Sequence, residues 1–173
     1  MTTALIMLAL LFAGQGVPAP VRVTRAALMS LEKHFDGQFV RANLPDSFDL
    51  LGNTRGVYVA GFGAVFSTEL NLVVTPNLSP FHPVYTKPEL ARIHERKLQR
   101  LPVLKQKMRE MLVNSAVALE NMPPQEQIVL AVSLFHYSWE DSSGIPAQIV
   151  MQGQRQQLLS ESTRESAIHT QEF

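Results

Sequence analysis

The chain has 173 residues, of which 46% are hydrophobic, and its formal net charge is zero at pH 7. This length suits one domain with one core, and a neutral chain has no overall attraction to nucleic acid, so we expect no nucleic-acid partner. Cysteine is absent, which excludes disulfides, thiolate metal sites and cysteine nucleophiles.

An uninterrupted apolar segment runs from Ala4 to Ala13. It has about half of the roughly 20 residues that span a bilayer, and its length is typical of the core of a signal peptide. Small residues follow it, so we expect cleavage after Gly16 and export to the periplasm or the cell exterior. No Lys or Arg precedes the segment, unlike in most signal peptides. A misplaced start codon or a buried N-terminal strand would each explain that difference.

Two elements are expected before residue 52. The apolar residues between Val21 and Ala42 recur at near-helical spacing, which predicts a first amphipathic helix. Phe48 to Leu51 then reads as a short strand, and Gly52 to Gly56 as a turn.

A second strong strand signal runs from Val57 to Val74, where apolar residues alternate with one parity. The segment is longer than an ordinary strand of about 5 to 6 residues. Either Gly61 and Phe62 form a hairpin turn with glycine in the first central position, or the glycines mark a bulge in one long strand. We favour the hairpin, although the unbroken parity supports the bulge.

A proline-rich loop from Thr75 to Tyr85 precedes the longest predicted helix. Thr86 and Glu89 have the spacing of a capping box, in which hydroxyl and carboxylate bind the backbone at the start of a helix. Apolar residues then recur at helical spacing up to Asn121. Pro102 lies inside this segment and removes one backbone hydrogen bond, so we expect a kink or a break into two helices there.

The strand signal that organises the chain is Glu126 to Trp139, because apolar residues occupy both of its alternating faces. Its β-branched and aromatic residues favour a strand over a helix. We therefore predict the central strand of the sheet, covered on both faces. Ala147 to Leu159 should pair with it as a hairpin and, being polar in its second half, should form a sheet edge.

The order of these elements predicts an α+β fold. We expect a single antiparallel sheet of about four to five strands, with an N-terminal helix and a long Pro-kinked helix packed on one face. The expected organisation is a signal peptide at 1–16, one α+β domain at 17–159 and a polar, flexible tail at 160–173.

No motif for phosphate or metal binding is present in the sequence. The glycines between residues 52 and 63 lie among predicted strands and lack the spacing of a phosphate-binding loop. The histidines, one per segment, are His34, His82, His94, His136 and His169. Because none of them has a partner at metal-ligand spacing, we expect no metal and no other cofactor.

The loop after the central strand carries a candidate ligand-binding site of His136, Trp139, Glu140 and Asp141. A histidine and carboxylates at a strand end are able to serve as acid and base. Turns also favour Asp, Ser and Gly, and a histidine beside aromatic residues is more often packed than catalytic. Turn chemistry alone accounts for these residues, so we favour a structural role and assign no catalytic residue.

A basic stripe of Arg92, Arg96 and Arg100 recurs at four-residue intervals on the long helix. Such a stripe could bind the phosphates of lipid headgroups or of nucleic acid. We favour a solvated helix face, because the neutral chain supplies no supporting field.

Three functions follow from these observations. We favour a non-enzymatic exported domain that binds another envelope protein through the sheet edge at Ile149 and Met151 or through the long helix, because the sequence shows no assembled catalytic set. The first alternative is a small hydrolase or ligand-binding enzyme with its site near His136, Glu140 and Asp141. The second is a peripheral binder of anionic surfaces, in weak contact with a membrane through the three arginines. The sequence does not indicate the oligomeric state.

Overall fold

The computed structural model describes residues 23–40, 47–74 and 85–173 and confirms an α+β fold, with helices packed on one mixed sheet. The expected signal peptide at 1–16 lies outside these residues, as does most of the proline-rich loop. The described helices are α1 (Arg25–Val40), α2 (Lys87–Ala118), α3 (Arg155–Leu159) and α4 (Arg164–Ala167). The described strands are β1 (Asp49–Leu50), β2 (Arg55–Val59), β3 (Gly63–Asn71), β4 (Gln127–Leu134), β5 (Gln148–Gln154) and β6 (His169–Glu172).

The sheet has the strand order β1-β3-β4-β5-β6, and β2 pairs with the same edge of β3 as β1 does. β4 is therefore the central strand, as its sequence predicts. β3 and β4 run parallel, whereas the other described pairs are antiparallel. The prediction of a fully antiparallel sheet is wrong at this pair, because α2 carries the chain back to the end of the sheet at which β3 began.

The segment after residue 55 forms the β2–β3 hairpin, not one bulged strand. The N–H of Phe62 donates to the Val59 carbonyl at 3.0 Å, so the central residues of the turn are Ala60 and Gly61. Gly61 has a φ of +82° and occupies the second central position, where we had expected the first. The glycines of the turn thus predicted the hairpin correctly, but they did not predict which residues occupy its central positions.

Helix α2 begins at the predicted cap. The backbone N–H and the hydroxyl of Thr86 both donate to the Glu89 carboxylate at 2.7 Å. The break into two helices is wrong, because α2 continues through Pro102 to Ala118. Pro102 lies on the exposed side of α2, where water can bind the backbone carbonyl that loses its donor.

The C-terminal segment departs from the expected edge strand and frayed tail. Strand β5 ends at Gln154, and the polar half of the predicted strand is helix α3. β6 pairs outside β5, with Ile149 opposite Glu172, so β5 is not an edge. The polar composition of this segment predicted a flexible tail instead of a strand. All side chains of β6 are exposed, and an exposed edge strand needs no apolar pattern.

The core lies on one face of the sheet, beneath α1, α2 and α3. Phe35 of α1 meets Phe66 of β3 edge to face, with ring centroids 5.0 Å apart. The central sheet residues of this core are Ala64, Phe66, Leu70, Ile128, Leu130, Val132, Ile149 and Met151. Ile149 and Met151 are fully buried, so the protein-binding edge that we expected at these residues is wrong. They point to the core because each alternates with an outward residue of β5.

Candidate functional site

Glu140, in the loop after β4, is buried against helix α2. Its Oε2 atom lies 2.5 Å from the Lys97 ammonium, and the two side chains are 3% and 2% exposed. The N–H of Tyr137 also donates to Oε2, at 3.1 Å. This carboxylate, which the sequence suggested as a ligand group, is thus bound by the chain's own lysine and backbone.

The other carboxylate oxygen, Glu140 Oε1, is buried and accepts no hydrogen bond from the described residues. The ammonium of Lys97 also donates to the Phe135 carbonyl at 3.5 Å. The pair therefore joins α2 to both ends of the segment from Phe135 to Glu140. The sequence does not single out Lys97, because nothing local distinguishes a lysine that is paired across the fold.

The ring of Trp139 packs against the rings of two tyrosines. Its ring lies 5.0 Å from Tyr137 at an interplanar angle of 8°, and 4.9 Å from Tyr85 at 31°. Tyr137 in turn meets Phe135 edge to face, with centroids 5.0 Å apart. Because Tyr85 and Tyr137 already pack against its ring, Trp139 offers little flat surface for a ligand to stack on.

His136 and Asp141 do not combine with Glu140 into an acid and base set. His136 is exposed, and none of the described hydrogen bonds joins it to either carboxylate. The N–H of Ser143 donates to Asp141 at 2.9 Å, and the hydrogen bonds from this serine lower the pKa of Asp141. Nδ1 of His94 donates to the Asp141 carbonyl at 2.9 Å. These contacts are those of a turn held against α2.

The three predicted arginines do not share one surface. Arg92 and Arg96 are exposed, whereas Arg100 is buried, with its guanidinium 4.5 Å from the centroid of the Phe48 ring. Burial lowers the pKa of Arg100, and the nearby charge of Arg96 lowers it further. Four-residue spacing rotates slightly around a helix, which is enough to carry Arg100 toward the core.

A cleft of about 310 Å³ lies between α2 and α4. Charges of both signs line it, from Arg109, Glu110, Arg164 and Glu165. Two of these groups already have partners, since Glu110 binds Lys107 at 2.9 Å and Arg164 donates to a backbone carbonyl at 3.1 Å. The lining therefore does not converge on one charge or one reacting atom.

The side of the sheet that faces away from the core is a further candidate surface, which we call the open face. The described helices contribute to the core on the opposite side, and none of them covers the open face. Its neighbouring apolar residues on β2 to β5 are Val57, Val59, Val65, Val129, Ala131 and Val150. Serines and glutamines occupy most other positions, and Arg55 and Glu69 are the charged residues that β2 to β5 place there.

Exposure varies across the open face. Val57 and Val59 on β2 are 54% and 48% exposed, and Phe62 in the adjoining turn is 45% exposed. Val129 on the central strand is only 8% exposed, where Val65 and Gln152 stand beside it. The described helices cover one face of β4, and on its other face Val129 is nevertheless buried, so β4 is screened from water on both faces at this residue although no described helix covers the second face.

A sequence signal for the open face was present. The second parity of β4 is apolar at Val129 and Ala131, and β2 carries Val57 and Val59 at positions of the same face. We interpreted that pattern as a strand buried on both sides, because a strand with apolar residues at both parities needs cover on both faces. Which segment covers a face depends on the packing of distant elements, and a strand's own residues do not encode it.

The described residues contain no group of three or more His, Cys, Asp or Glu side chains that could hold a metal ion. In that same part of the chain, no helix combines the length and the apolar composition that crossing a membrane requires. Comparisons with models of protein families, with curated proteins and with solved structures find no match to this chain. Its function therefore has to be inferred from its own residues.

Proposed function

We propose that this protein is a non-enzymatic domain of the cell envelope that binds another protein, and that the open face is its binding surface. The observation that carries the proposal is the group of exposed valines on β2, at the side of a sheet that no described helix covers. Soluble domains seldom leave a contiguous apolar patch in water unless it meets a partner.

The composition of the open face supports a protein partner. Its middle strands carry Val65, Val129, Ala131 and Val150, serines and glutamines occupy most neighbouring positions, and the charged residues Asp49, Arg55 and Glu69 lie toward one end. Interfaces between proteins have this arrangement, with charged residues depleted at the centre and polar residues at the rim. No open-face residue lines either of the two described clefts, and small ligands usually bind in concave sites.

The two alternatives have less support from the contacts. A hydrolase site at His136, Glu140 and Asp141 would need a free carboxylate near the histidine, and Glu140 is bound to Lys97. A binder of anionic surfaces would present its arginines together, and Arg100 packs on Phe48 instead. Neither alternative draws on the open face.

The location in the envelope rests on the apolar segment from Ala4 to Ala13 and the small residues that follow it. N-terminal sequencing of the mature protein tests this part of the proposal. A mature chain that begins at Val17 supports export by signal peptidase, and a chain that retains Ala4 to Ala13 counts against it.

A photo-reactive amino acid placed at Val57 tests the binding surface in intact cells. Val117 on α2 is the matched control, because it is also a valine, is 62% exposed and lies away from the sheet. We expect a discrete cross-linked species from position 57 and none from position 117. Equal cross-linking from both positions, or none from Val57, would contradict the proposal.

A further inference from the structure

Strand β6 ends the sheet beyond β5, and its outer edge is open. Phe173 and Gln148 exchange backbone hydrogen bonds of 3.0 and 3.3 Å. Because inward and outward residues alternate along an antiparallel strand, Gln171 also turns its N–H and carbonyl toward β5, whereas Thr170 and Glu172 turn theirs away. Among the described residues, none binds these outward groups. The edge therefore presents two donors and two acceptors, spaced about 6.8 Å apart along the strand.

The edge at β2, on the opposite side of the sheet, is protected. The N–H of Gly56 donates to Glu32 at 2.7 Å, and the carbonyl of Gly56 accepts from Arg25 at 2.9 Å. Two side chains of α1 thus bind backbone groups that β2 turns away from β3. Proteins protect edge strands by such cover, or with proline and lysine in the strand. β6 contains neither proline nor lysine, and in the part of the chain that the structure describes no side chain covers its outer backbone.

Helix α2 runs beside β6. At one end of the strand, Lys105 of α2 lies 2.6 Å from Glu172, and their charges cancel. At the other end, Ile168 lines the cleft between α2 and α4 together with Arg109 and Val113. The stretch from Lys105 to Val113 extends about 12 Å along a helix axis, and that from Glu172 back to Ile168 extends about 13 Å along a strand. The flank of α2 and the cleft therefore accompany the edge over its length.

The cleft beside this edge has an excess of positive charge. Two arginines and two glutamates line it, and Glu110 is already bound to Lys107. Arg109 and Arg164 then face only Glu165, which leaves two positive charges against one negative charge. Arg109 is half-buried and takes part in none of the hydrogen bonds or ion pairs of the described residues. An acidic side chain that enters the cleft would balance this excess.

We propose that β6 binds an extended segment of another polypeptide as an added strand, with an acidic side chain of that segment in the cleft beside Arg109. Backbone hydrogen bonds to Thr170 and Glu172 supply affinity, and alternate side chains supply specificity. An added strand lies about 4.8 Å outside β6 and turns every second side chain toward α2. A second copy of β6 fits less well, because its only acidic residue, Glu172, is already bound to Lys105. The inference goes beyond the proposed function, since it uses the edge of the sheet and not the open face.

A photo-reactive amino acid at Gln171 tests the added strand in intact cells, in three versions of the full chain. Thr170→Pro removes an outward N–H and no hydrogen bond to β5, whereas Thr170→Val keeps that N–H and changes only the side chain. We expect a discrete cross-linked species from the unchanged chain and from Thr170→Val. With Thr170→Pro its yield should fall at least about fivefold, because one carbonyl of the added strand loses its donor. Slow amide exchange at Gln171 in the purified variants checks that β6 remains paired with β5.

Arg109→Glu tests the acidic side chain, and Arg92→Glu is its control, because Arg92 is an exposed arginine of α2 that does not line the cleft. We expect Arg109→Glu to reduce the cross-linked species at least about fivefold, since like charges then meet, and Arg92→Glu to leave it unchanged. Equal yields from the two variants overturn the acidic contact. If Thr170→Pro releases β6 from β5, this comparison decides the proposal.

The remaining outcomes separate this inference from the proposed function. A species that persists in Thr170→Pro overturns the added strand and indicates a partner on the open face, because Gln171 stands opposite Val150 on that side of the sheet. A species of twice the mass of the chain identifies a second copy and overturns the separate polypeptide. A species from position 57 with none from position 171 overturns this inference and leaves the proposed function in place.

Discussion

The ammonium of Lys97 and the carboxylate of Glu140 meet at 2.5 Å inside the protein, where neither side chain is more than 3% exposed. Lys97 lies in the first half of α2, and Glu140 lies in the loop that follows the central strand. The pair therefore fastens the helix that covers the sheet to the loop at the end of β4. Its two charges depend on each other, because either alone would be buried without a counterion.

Replacing one member of this pair should destabilise the fold strongly. We expect Lys97→Met to lower the free energy of unfolding by about 3 to 5 kcal/mol, because Glu140 is left buried and unpaired. Urea denaturation measures the change. Lys107→Met is the control, since Lys107 and Glu110 are 26% and 46% exposed and an exposed pair contributes less than about 1 kcal/mol. Similar losses for the two variants would show that Lys97 and Glu140 are not coupled as described.

The stability at acidic pH should depend on Glu32. Its carboxylate accepts hydrogen bonds from Arg25 at 2.7 and 2.9 Å and from the Gly56 N–H at 2.7 Å. Burial alone would raise the pKa of Glu32, but these bonds and the charge of Arg25 outweigh it and lower the pKa below 4.5. The contribution to stability is therefore complete above pH 4.5 and is lost as the pH falls through the folded pKa.

We expect Glu32→Gln to lower the free energy of unfolding at pH 7 by about 2 kcal/mol, because neutral acceptors bind these donors more weakly. Below pH 4.5 the difference between the variant and the unchanged chain should shrink. Thermal unfolding from pH 7 to pH 3 measures both effects, with the exposed Glu161→Gln as control. If the difference in stability between Glu32→Gln and the unchanged chain stays constant from pH 7 to pH 3, then the pH dependence does not come from Glu32.

Gly63 should tolerate no side chain. Its φ is +137°, and a Cβ atom there would lie 1.8 Å from the carbonyl oxygen of Gln127 on the neighbouring parallel strand. We expect Gly63→Ala to cost at least about 3 kcal/mol, from backbone strain together with displacement of β4. Gly61→Ala is the matched control, because Gly61 also has a positive φ of +82° but nothing lies within 4 Å. That variant should cost only about 1 kcal/mol, and equal costs in denaturant titrations would argue against the close contact.

Neighbouring residues of β5 should respond oppositely to a charge. Met151 is fully buried, whereas Gln152 is half-buried and belongs to the open face. We expect Met151→Lys to lose at least about 3 kcal/mol, because it buries an unpaired ammonium, and Gln152→Lys to change stability by less than about 1 kcal/mol. Circular dichroism during urea titration compares them. If Met151→Lys folds with unchanged stability, then the side of the sheet that carries Met151 is not the core side.

The sequence was sufficient where local pattern decides structure. The apolar run around Val129 predicted the central strand, and the spacing of Thr86 and Glu89 predicted where α2 begins. The hairpin at Gly61 followed from turn chemistry. Each of these features depends on residues that are close together in the chain, and sequence patterns report such features directly.

The remaining features depend on contacts between distant parts of the chain. The direction of β4 beside β3 follows from the path of α2, and Lys97 meets Glu140 only after that helix is in place. β6 was missed because its four exposed residues carry no alternation that distinguishes a strand from a polar tail. Cover over the open face was expected because an apolar residue such as Val129 does not show whether a helix or its neighbours in the sheet screen it from water.

The parallel pairing of β3 with β4 also bears on how quickly the protein folds. The two strands come from opposite sides of α2 in the chain, so they can meet only after a long intervening segment has closed into a loop. Loop closure of this kind slows folding, whereas the β2–β3 and β4–β5 hairpins are local and can form early. Until the halves join, both strands present unpaired backbone edges, and it is during this interval that the chain is most exposed to aggregation.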